Sequence, residues 1–356
     1  MAKESVVSVR PDLSRMEGYH SAQVDVEVRL NTNESPLSPP PEFARDLADF
    51  VAKADYHRYP DRAATELRAA IAKLHKVAPE QIFPANGSNE VLQSLLLAYG
   101  GPDRSVLVFE PTYALHSHIP QITGTPVITE HRNADYTLDP DKVAATIGAH
   151  DPTIVFLCSP NNPTGMIESP AVLDAAVEAS SGLVIVDEAY GQFSTWSAVD
   201  RVQDDGRVVV VRTFSKTWAM AGLRLGYAIA PAPVVAALDG VVLPYHLDII
   251  KQAAGVFALA YQGEMQTRVS NIVEERGRIV AGLHQLDVEV WPSEANFVLF
   301  RPQSVDGATV WQRLVDQSVL VRDCSSWPNL DGCLRVTVGT AHENGRFLEA
   351  LAKALT

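Results

Sequence analysis

The residues best suited to chemistry lie in Val208-Val-Val-Val-Arg-Thr-Phe-Ser-Lys-Thr-Trp-Ala-Met-Ala-Gly-Leu-Arg-Leu-Gly-Tyr227. Four successive valines read as a strand buried on both faces, the pattern of an inner parallel strand. The run then stops, and Thr213, Ser215 and Lys216 appear among apolar residues. Lys216 stands between Phe214 and Trp218, surroundings that disfavour a charged amine and lower its pKa. A lysine that condenses with a carbonyl needs that shift, because only the neutral amine attacks. Arg224, between Leu223 and Leu225, adds a permanent cation where an anion would be welcome. The plain alternative is a strand, a turn and a surface lysine.

Other groups extend the set. Asn86-Gly-Ser-Asn-Glu90 precedes a helical pattern, so its backbone N–H groups and positive dipole end form a ready phosphate site. Ser88 or Asn89 acting as an ordinary helix cap is the commoner use of such a turn. Asp187, after an apolar run, would hold the ring nitrogen of a cofactor protonated and strengthen an electron sink, although such aspartates are usually structural. Tyr190 lies three residues on, within reach of the same ring if a helical turn begins there. Asn162 sits in an Asn-Pro-Thr-Gly turn and could donate to a phenolate oxygen or simply serve the turn. Tyr113 could stack on a planar ring or belong to the core. A condensing lysine, a ring carboxylate, phenolate donors, a stacking aromatic and a phosphate turn together describe pyridoxal phosphate bound as a Schiff base. No metal site is expected.

These groups share one kind of position. From about residue 81 to 230, short apolar runs alternate with helical segments, the signature of a parallel sheet with crossover helices. Gln81–Pro84, Ser105–Phe109, Thr153–Cys158, Leu183–Val186 and Val208–Val211 each lead into one of the motifs. In open α/β sheets the ligand crevice lies beyond the carboxyl ends of the strands, so five strand ends should converge on one place. Upstream, the proline-rich Leu30–Pro41 reads as an extended arm, followed by helices over 42–54 and 65–75. Beyond residue 240 the pattern changes to a long helical stretch over 252–283, strands near 288, 297, 319 and 334, and a closing helix from 343 to 355. The expected organisation is an arm of residues 1–45 contributing to a small domain, a large cofactor domain of 46–245, and a small α+β domain of 246–356.

Composition narrows the function classes. The chain has 356 residues, 46% hydrophobic and 20% charged, enough for a sizeable core and more than one ordinary domain. A net charge of −14 argues against nucleic acid or an anionic membrane as partner, so an anionic substrate must be captured by local arginines. Three cysteines, Cys158, Cys324 and Cys333, with no paired spacing, fit a reducing compartment. With no signal-like segment and no run long enough to span a bilayer, a cytoplasmic location is expected.

Ser159-Pro-Asn-Asn-Pro-Thr-Gly165, Val186-Asp-Glu-Ala-Tyr190 and Thr213-Phe-Ser-Lys216, with Arg224-Leu-Gly226, resemble the fold-type I, aspartate-aminotransferase-like superfamily. Leu30-Asn-Thr-Asn-Glu-Ser-Pro36, Arg58-Tyr-Pro-Asp61, Ala85–Glu90, Ala295-Asn-Phe297, Val321-Arg-Asp323 and Gly332-Cys-Leu-Arg-Val-Thr-Val-Gly-Thr340 are more closely similar to the histidinol-phosphate aminotransferase family. The resemblance runs from about Tyr19 to the C-terminus. It implies an α/β fold of type I, with a large domain on a mostly parallel mixed sheet and a smaller α+β domain. It also implies a homodimer with active sites at the interface.

The same resemblance gives Lys216 to the cofactor linkage and the proton shift, Asp187 to the pyridinium, Asn162 and Tyr190 to the ring oxygen, and Tyr113 to the ring face. It gives Ser88, Asn89, Thr213, Ser215 and Arg224 to the phosphate, with Tyr59 reaching it from the neighbouring subunit. Arg335 and Arg322 are similar to substrate-anion arginines, and Tyr19 to an arm residue over the substrate. The implied reaction is amino transfer between histidinol phosphate and 2-oxoglutarate in histidine biosynthesis. Aromatic-amino-acid transfer and decarboxylation of an amino-acid phosphate share the scaffold. A non-catalytic cofactor-binding module is disfavoured by the acidic charge and the lysine. Phe214, Trp218 and Trp327 are the departures that bear on substrate range.

Overall fold

The computed structural model describes residues 7–14, 16, 18 and 22–356. In chain order the strands and helices are β1 (Val28–Leu30), α1 (Pro41–Val51), α2 (Thr65–His75), β2 (Ile82–Ala85), α3 (Ser88–Tyr99), β3 (Val106–Glu110), α4 (Leu115–Thr123) and β4 (Val127–His131). There follow α5 (Pro140–His150), β5 (Ile154–Cys158), α6 (Pro170–Ala179), β6 (Leu183–Asp187), β7 (Val208–Thr213), β8 (Gly226–Ile229), α7 (Ala232–Val241) and α8 (Ile249–Ala260). The chain closes with α9 (Gln262–Leu283), β9 (Val288–Val290), β10 (Phe297–Pro302), α10 (Gly307–Asp316), β11 (Val319–Asp323), β12 (Leu334–Thr337) and α11 (Ala341–Ala354).

Two sheets organise these elements. The larger has seven strands in the order β2-β8-β7-β6-β5-β3-β4, and the smaller has five in the order β1-β11-β12-β10-β9. In the larger sheet β4, β3, β5, β6 and β7 are mutually parallel, whereas β8 is antiparallel to both of its neighbours, β7 and β2. The five strands singled out in the sequence therefore point the same way, and their carboxyl ends share one edge. β8 exists because the chain reverses directly between Thr213 and Gly226, a reversal that contains both Lys216 and Arg224.

The valine run shows how the sheet is buried. Val208 and Val210 pack on one face with Phe43, Leu67, Ile71 and Ala254 of α1, α2 and α8. Val209 and Val211 pack on the other with Leu92, Leu95 and Leu238 of α3 and α7. The alternation is the two-residue period of a strand, and helices on both faces leave no polar side. A fully buried valine of this kind contributes on the order of 1.5 kcal/mol or more.

The smaller sheet has a separate core. There Val28, Leu30, Phe297, Phe300, Val321 and Val336 meet Ile272, Ile279, Val310, Phe347 and Leu351. β1, within the expected arm of residues 1–45, is a sheet strand parallel to β11, with Leu30 opposite Val321. The helical stretch expected over 252–283 is two helices broken at Tyr261 (φ −100°, ψ 37°). α8 packs into the larger core through Ala254 and Ala258. α9 starts there with Met265 and crosses to the smaller core with Ile272 and Ile279. Among the described residues, no helix is long and apolar enough to cross a membrane.

Candidate active site

Beyond the carboxyl edge of the larger sheet lies a cavity of about 350 Å³. Its lining brings together Ser88, Asn89, Tyr113, Asn162, Asp187, Tyr190, Thr213, Ser215, Lys216, Arg224 and Arg335. Eleven expected site residues from seven separate segments thus meet in one place. Three cations, Lys216, Arg224 and Arg335, face it against two carboxylates, Glu34 and Asp187. In a chain of net charge −14 this is a local reversal of sign.

At one end is the start of α3. Gly87 occupies the cap position with φ +83°, and neither Ser88 nor Asn89 caps the helix through its side chain. The first-turn N–H groups therefore lack a side-chain acceptor, and the ordinary capping alternative does not hold. Space here depends on glycine. A Cβ on Gly226 would lie 2.4 Å from the Ser88 nitrogen, and one on Gly87 would lie 2.9 Å from Arg224 Nη2. The Thr213 hydroxyl donates to Ser215 Oγ at 3.0 Å, and Arg224 Nη1 reaches the same oxygen at 3.5 Å. Helix N-terminus, two hydroxyls and a guanidinium converge as a phosphate site requires.

Asp187 lies at the end of β6, 2% exposed. Its Oδ1 accepts from the Ala189 N–H at 3.0 Å, and its Oδ2 lies 3.0 Å from His116 Nε2. His116 is itself buried, stacked on Phe156 at 4.6 Å and held near Thr112 Oγ1 at 3.4 Å. The neighbouring carboxylate, Glu188, points to the opposite side of the strand end, where it takes Arg212 at 2.7 Å and the Ala198 N–H at 2.5 Å. Strand alternation therefore selects Asp187 over Glu188 for the cavity. Tyr113 donates to Asn89 Oδ1 at 3.2 Å and meets His116 edge-on at 5.5 Å.

Lys216 projects from the reversal between β7 and β8, and its Nζ donates to the Thr32 carbonyl at 3.2 Å. Burial, then the cations Arg335 and Arg224, lower its pKa from the usual 10.5 to about 7, with Glu34 acting in the opposite sense. The depression expected from the sequence is present, but its expected cause is not. Phe214 and Trp218 turn away into the larger core, 5.6 Å from each other and packed with Tyr227. They do not line the cavity and so do not narrow it. The adjacent Tyr190 is buried and accepts from Asn33 Nδ2 at 2.9 Å, and burial raises its phenol pKa above the ordinary range.

Arg335 is 3% exposed and has no carboxylate in ion-pair reach among the described residues. One Nη donates to Asn162 Oδ1, the other to the Asn31 carbonyl at 3.1 Å, and its Nε is buried with no acceptor. A buried guanidinium held only by neutral groups is poised for an incoming anion. Arg322 pairs in register with Arg335 across β11 and β12 but stands outside the cavity lining. The Trp327 ring lies 5.7 Å from the Arg322 guanidinium and 5.9 Å from that of Arg335. Tyr59 is also outside, 79% exposed and stacked on Tyr245 at 4.4 Å. Tyr19 lies outside the described residues.

The structure adds residues to which sequence reasoning gave no role. Thr32, Asn33 and Glu34 of the arm line the cavity. Asn33 adopts φ +55° and is stapled by Thr337 and Asn296 at 3.0 and 3.2 Å. The Asn-Thr-Asn run was a usable signal, since asparagine tolerates left-handed backbone better than most residues. His116 had only its histidine pair with His118 to mark it.

The chain matches the family model for "Aminotransferase class I and II" over residues 25–351. It is 42% identical to a histidinol-phosphate aminotransferase of Corynebacterium diphtheriae, over 96% of this chain and 95% of that one. It is 43% identical to a histidinol-phosphate aminotransferase of Thermobifida fusca, over 97% and 95% of the two chains. The crystal structure of histidinol-phosphate aminotransferase from Sinorhizobium meliloti in complex with pyridoxal-5'-phosphate superposes with a TM-score of 0.84 at 22% identity, over 93% and 91% of the two chains. The α/β architecture is thus that of fold-type I aminotransferases, and this chain belongs to the class I and II aminotransferase family.

Proposed function

We infer that the protein is a pyridoxal-phosphate-dependent transaminase that interconverts histidinol phosphate and 2-oxoglutarate with imidazole-acetol phosphate and glutamate, a step of histidine biosynthesis. The observation that carries it is the buried Lys216, with a pKa near 7, in the same cavity as Asp187 and an uncapped helix start. The curated relatives of this length and identity carry that enzyme name. The residues fit the cofactor. The start of α3 with Thr213, Ser215 and Arg224 would hold its phosphate, and Asp187 its ring nitrogen. Asn162 and Tyr190 would face the ring oxygen, and Tyr113 would stand at the ring face.

When bound, pyridoxal phosphate supplies an electron sink for a carbanion. The chain's own part is to orient and to move protons. Lys216 would present a neutral amine to a carbonyl and then carry the proton of the 1,3-shift, between the two carbons on either side of the transferred nitrogen. Asp187, braced by His116, would keep a proton on the cofactor's ring nitrogen. Arg335 receives the substrate oxyanion. Histidinol phosphate has no carboxylate, so its phosphate must occupy the place where glutamate puts one, and a planar guanidinium can fork onto either.

The test is spectrophotometric half-reactions of the cofactor-loaded protein with histidinol phosphate, phenylalanine and glutamate in turn. Conversion with histidinol phosphate and glutamate, lost in Lys216→Ala, is expected. Preference for phenylalanine would make it a general aromatic aminotransferase, and carbon dioxide release from an amino-acid phosphate would make it a decarboxylase.

The assembly we propose is a cytoplasmic homodimer with Tyr59 crossing to the partner's phosphate site. Leu243 and Tyr245 are exposed in the lining of a groove of about 440 Å³ with Asp61, Arg68, Asp239 and His246, and the exposed Tyr59 stacks on Tyr245, which supports a covered face. Mixing inactive Lys216→Ala and Tyr59→Phe subunits should restore part of the activity, and full activity in a monomeric species would contradict the shared site. Within the protomer, we propose an arm of residues 1–45, a large unit of 46–245 and a small unit of 246–356, with α8 packing back onto the large one.

A further inference from the structure

Arg268 is a buried cation that the proposed chemistry does not use. It lies on α9 between Met265, in the larger core, and Ile272, in the smaller one, and it is 9% exposed. Among the described residues no carboxylate comes within ion-pair distance of it. Its Nη1 donates to the Thr217 carbonyl at 3.1 Å, next in sequence to Lys216, and its Nη2 to the Ser38 carbonyl of the arm at 2.9 Å. Pro39, Pro40, Phe43, Trp218 and Met220 line a small cavity with it. Its Nε is buried with no acceptor.

A charge in such surroundings is unfavourable unless its hydrogen bonds are needed, and an apolar residue would fill the same space on α9 at lower cost. What an apolar residue cannot do is hold two carbonyls from different segments with one rigid fork. Both segments need holding. The arm between Thr32 and Pro41 contains four prolines and belongs to no sheet. The turn after Lys216 has two backbone bonds of its own, Ala219 to the Lys216 carbonyl at 3.2 Å and Met220 to the Phe214 carbonyl at 3.1 Å. Thr217 Oγ1 and Trp218 Nε1 in that turn are buried without partners. At the cavity end, Lys216 Nζ reaches the Thr32 carbonyl of the same arm at 3.2 Å. Arm and turn are therefore fastened at two points, one of them Arg268.

We propose that Arg268 is a positioning residue, which locks the turn carrying Lys216 to the N-terminal arm and so fixes how the lysine amine is presented to the cavity. It acts through Lys216 and touches no substrate. The inference rests on Lys216 being the reactive amine. Displacing a reacting group by about 1 Å can cost up to 100-fold in rate. In the cofactor-loaded enzyme, where the Lys216 amine is committed to the cofactor, Arg268 is the remaining fastener, and its loss should cost roughly tenfold, about 1.4 kcal/mol of barrier.

The experiment uses the cofactor-loaded enzyme and the variants Arg268→Met, Arg268→Gln and Arg268→Lys. It measures kcat, KM for both substrates, and the pH midpoint of the cofactor's visible absorbance. Arg268→Met should keep the bound cofactor and near-normal KM values, lose about tenfold in kcat, and move the pH midpoint. Arg268→Lys, which can hold one carbonyl, should fall between. A folded Arg268→Met with wild-type kcat and midpoint would overturn the proposal. If Arg268→Met does not fold, the same wild-type values in Arg268→Gln and Arg268→Lys overturn it. Failure of the underlying reading would look different, because the Lys216→Ala variant would then keep the wild-type visible band and its pH midpoint.

Discussion

Replacing Arg335 by lysine isolates geometry from charge. The guanidinium makes two commitments, to Asn162 Oδ1 and to the Asn31 carbonyl, and still has a buried Nε without an acceptor. A lysine has one nitrogen on a stem of different reach, so it cannot hold both neighbours and fork onto an oxyanion as well. Charge is conserved, and the position is 3% exposed, so solvent cannot take over the lost contacts. One hydrogen bond to a charged group is worth about 1.5–3 kcal/mol, which corresponds to roughly 10- to 150-fold in kcat/KM. Both half-reactions should suffer, because amine donor and keto acid present their oxyanions to the same arginine. Single-turnover absorbance of the cofactor-loaded variant with each substrate measures this directly, and a thermal melt checks that folding is intact. A loss under threefold, or a loss confined to one substrate, would refute Arg335 as a shared anion site.

Further outcomes follow from the site. Lys216 has its pKa lowered to about 7, so the rate at which cofactor-free protein recaptures pyridoxal phosphate should rise through pH 7 and level off above it. A midpoint near 10 would show an ordinary, solvated lysine. The linkage has a definite sign. Folding lowers this pKa, so the buried amine penalises the cofactor-free fold fully below about pH 7, and the penalty fades as pH rises toward 10.5. Asp187→Asn should cut kcat by roughly 100-fold or more while the cofactor stays bound, as expected for loss of proton control. His116→Phe, which removes the brace at 3.0 Å together with the contact to Thr112, should cost about tenfold. Equal melting losses with unchanged kcat in both variants would make Asp187 purely structural.

Much of the site was legible in the sequence because it is attached to strand ends. An apolar run fixes where a parallel strand stops, and the next few residues must then face the crevice, so Asn162, Asp187 and Lys216 could be placed together without coordinates. The valine run and the motif after it carry that information locally. The choice of Asp187 over Glu188 follows from strand alternation, but which parity faces the cavity was decided by Arg212 taking Glu188 from the other side. Local sequence was weaker where the chain reverses. β8 is short and follows the lysine turn directly, so its antiparallel pairing with β7 and β2 had no periodic signal.

The amino-acid sequence by itself determined the class of chemistry, the strand-end positions of the reacting groups and the need for local cations in an acidic chain. Contacts between distant segments were decided only by the tertiary structure. Lys216 owes its depressed pKa to burial and to Arg335 and Arg224, not to its sequence neighbours Phe214 and Trp218, which turn into the core. His116 stands behind Asp187, 71 positions away in the chain, and the arm reaches Lys216 from 184 positions away. Arg268 joins arm and turn from a helix that bridges the two cores. Such couplings are set by how sheets and helices pack on one another. Residue type and spacing record what a side chain can do, and packing settles which partner it meets.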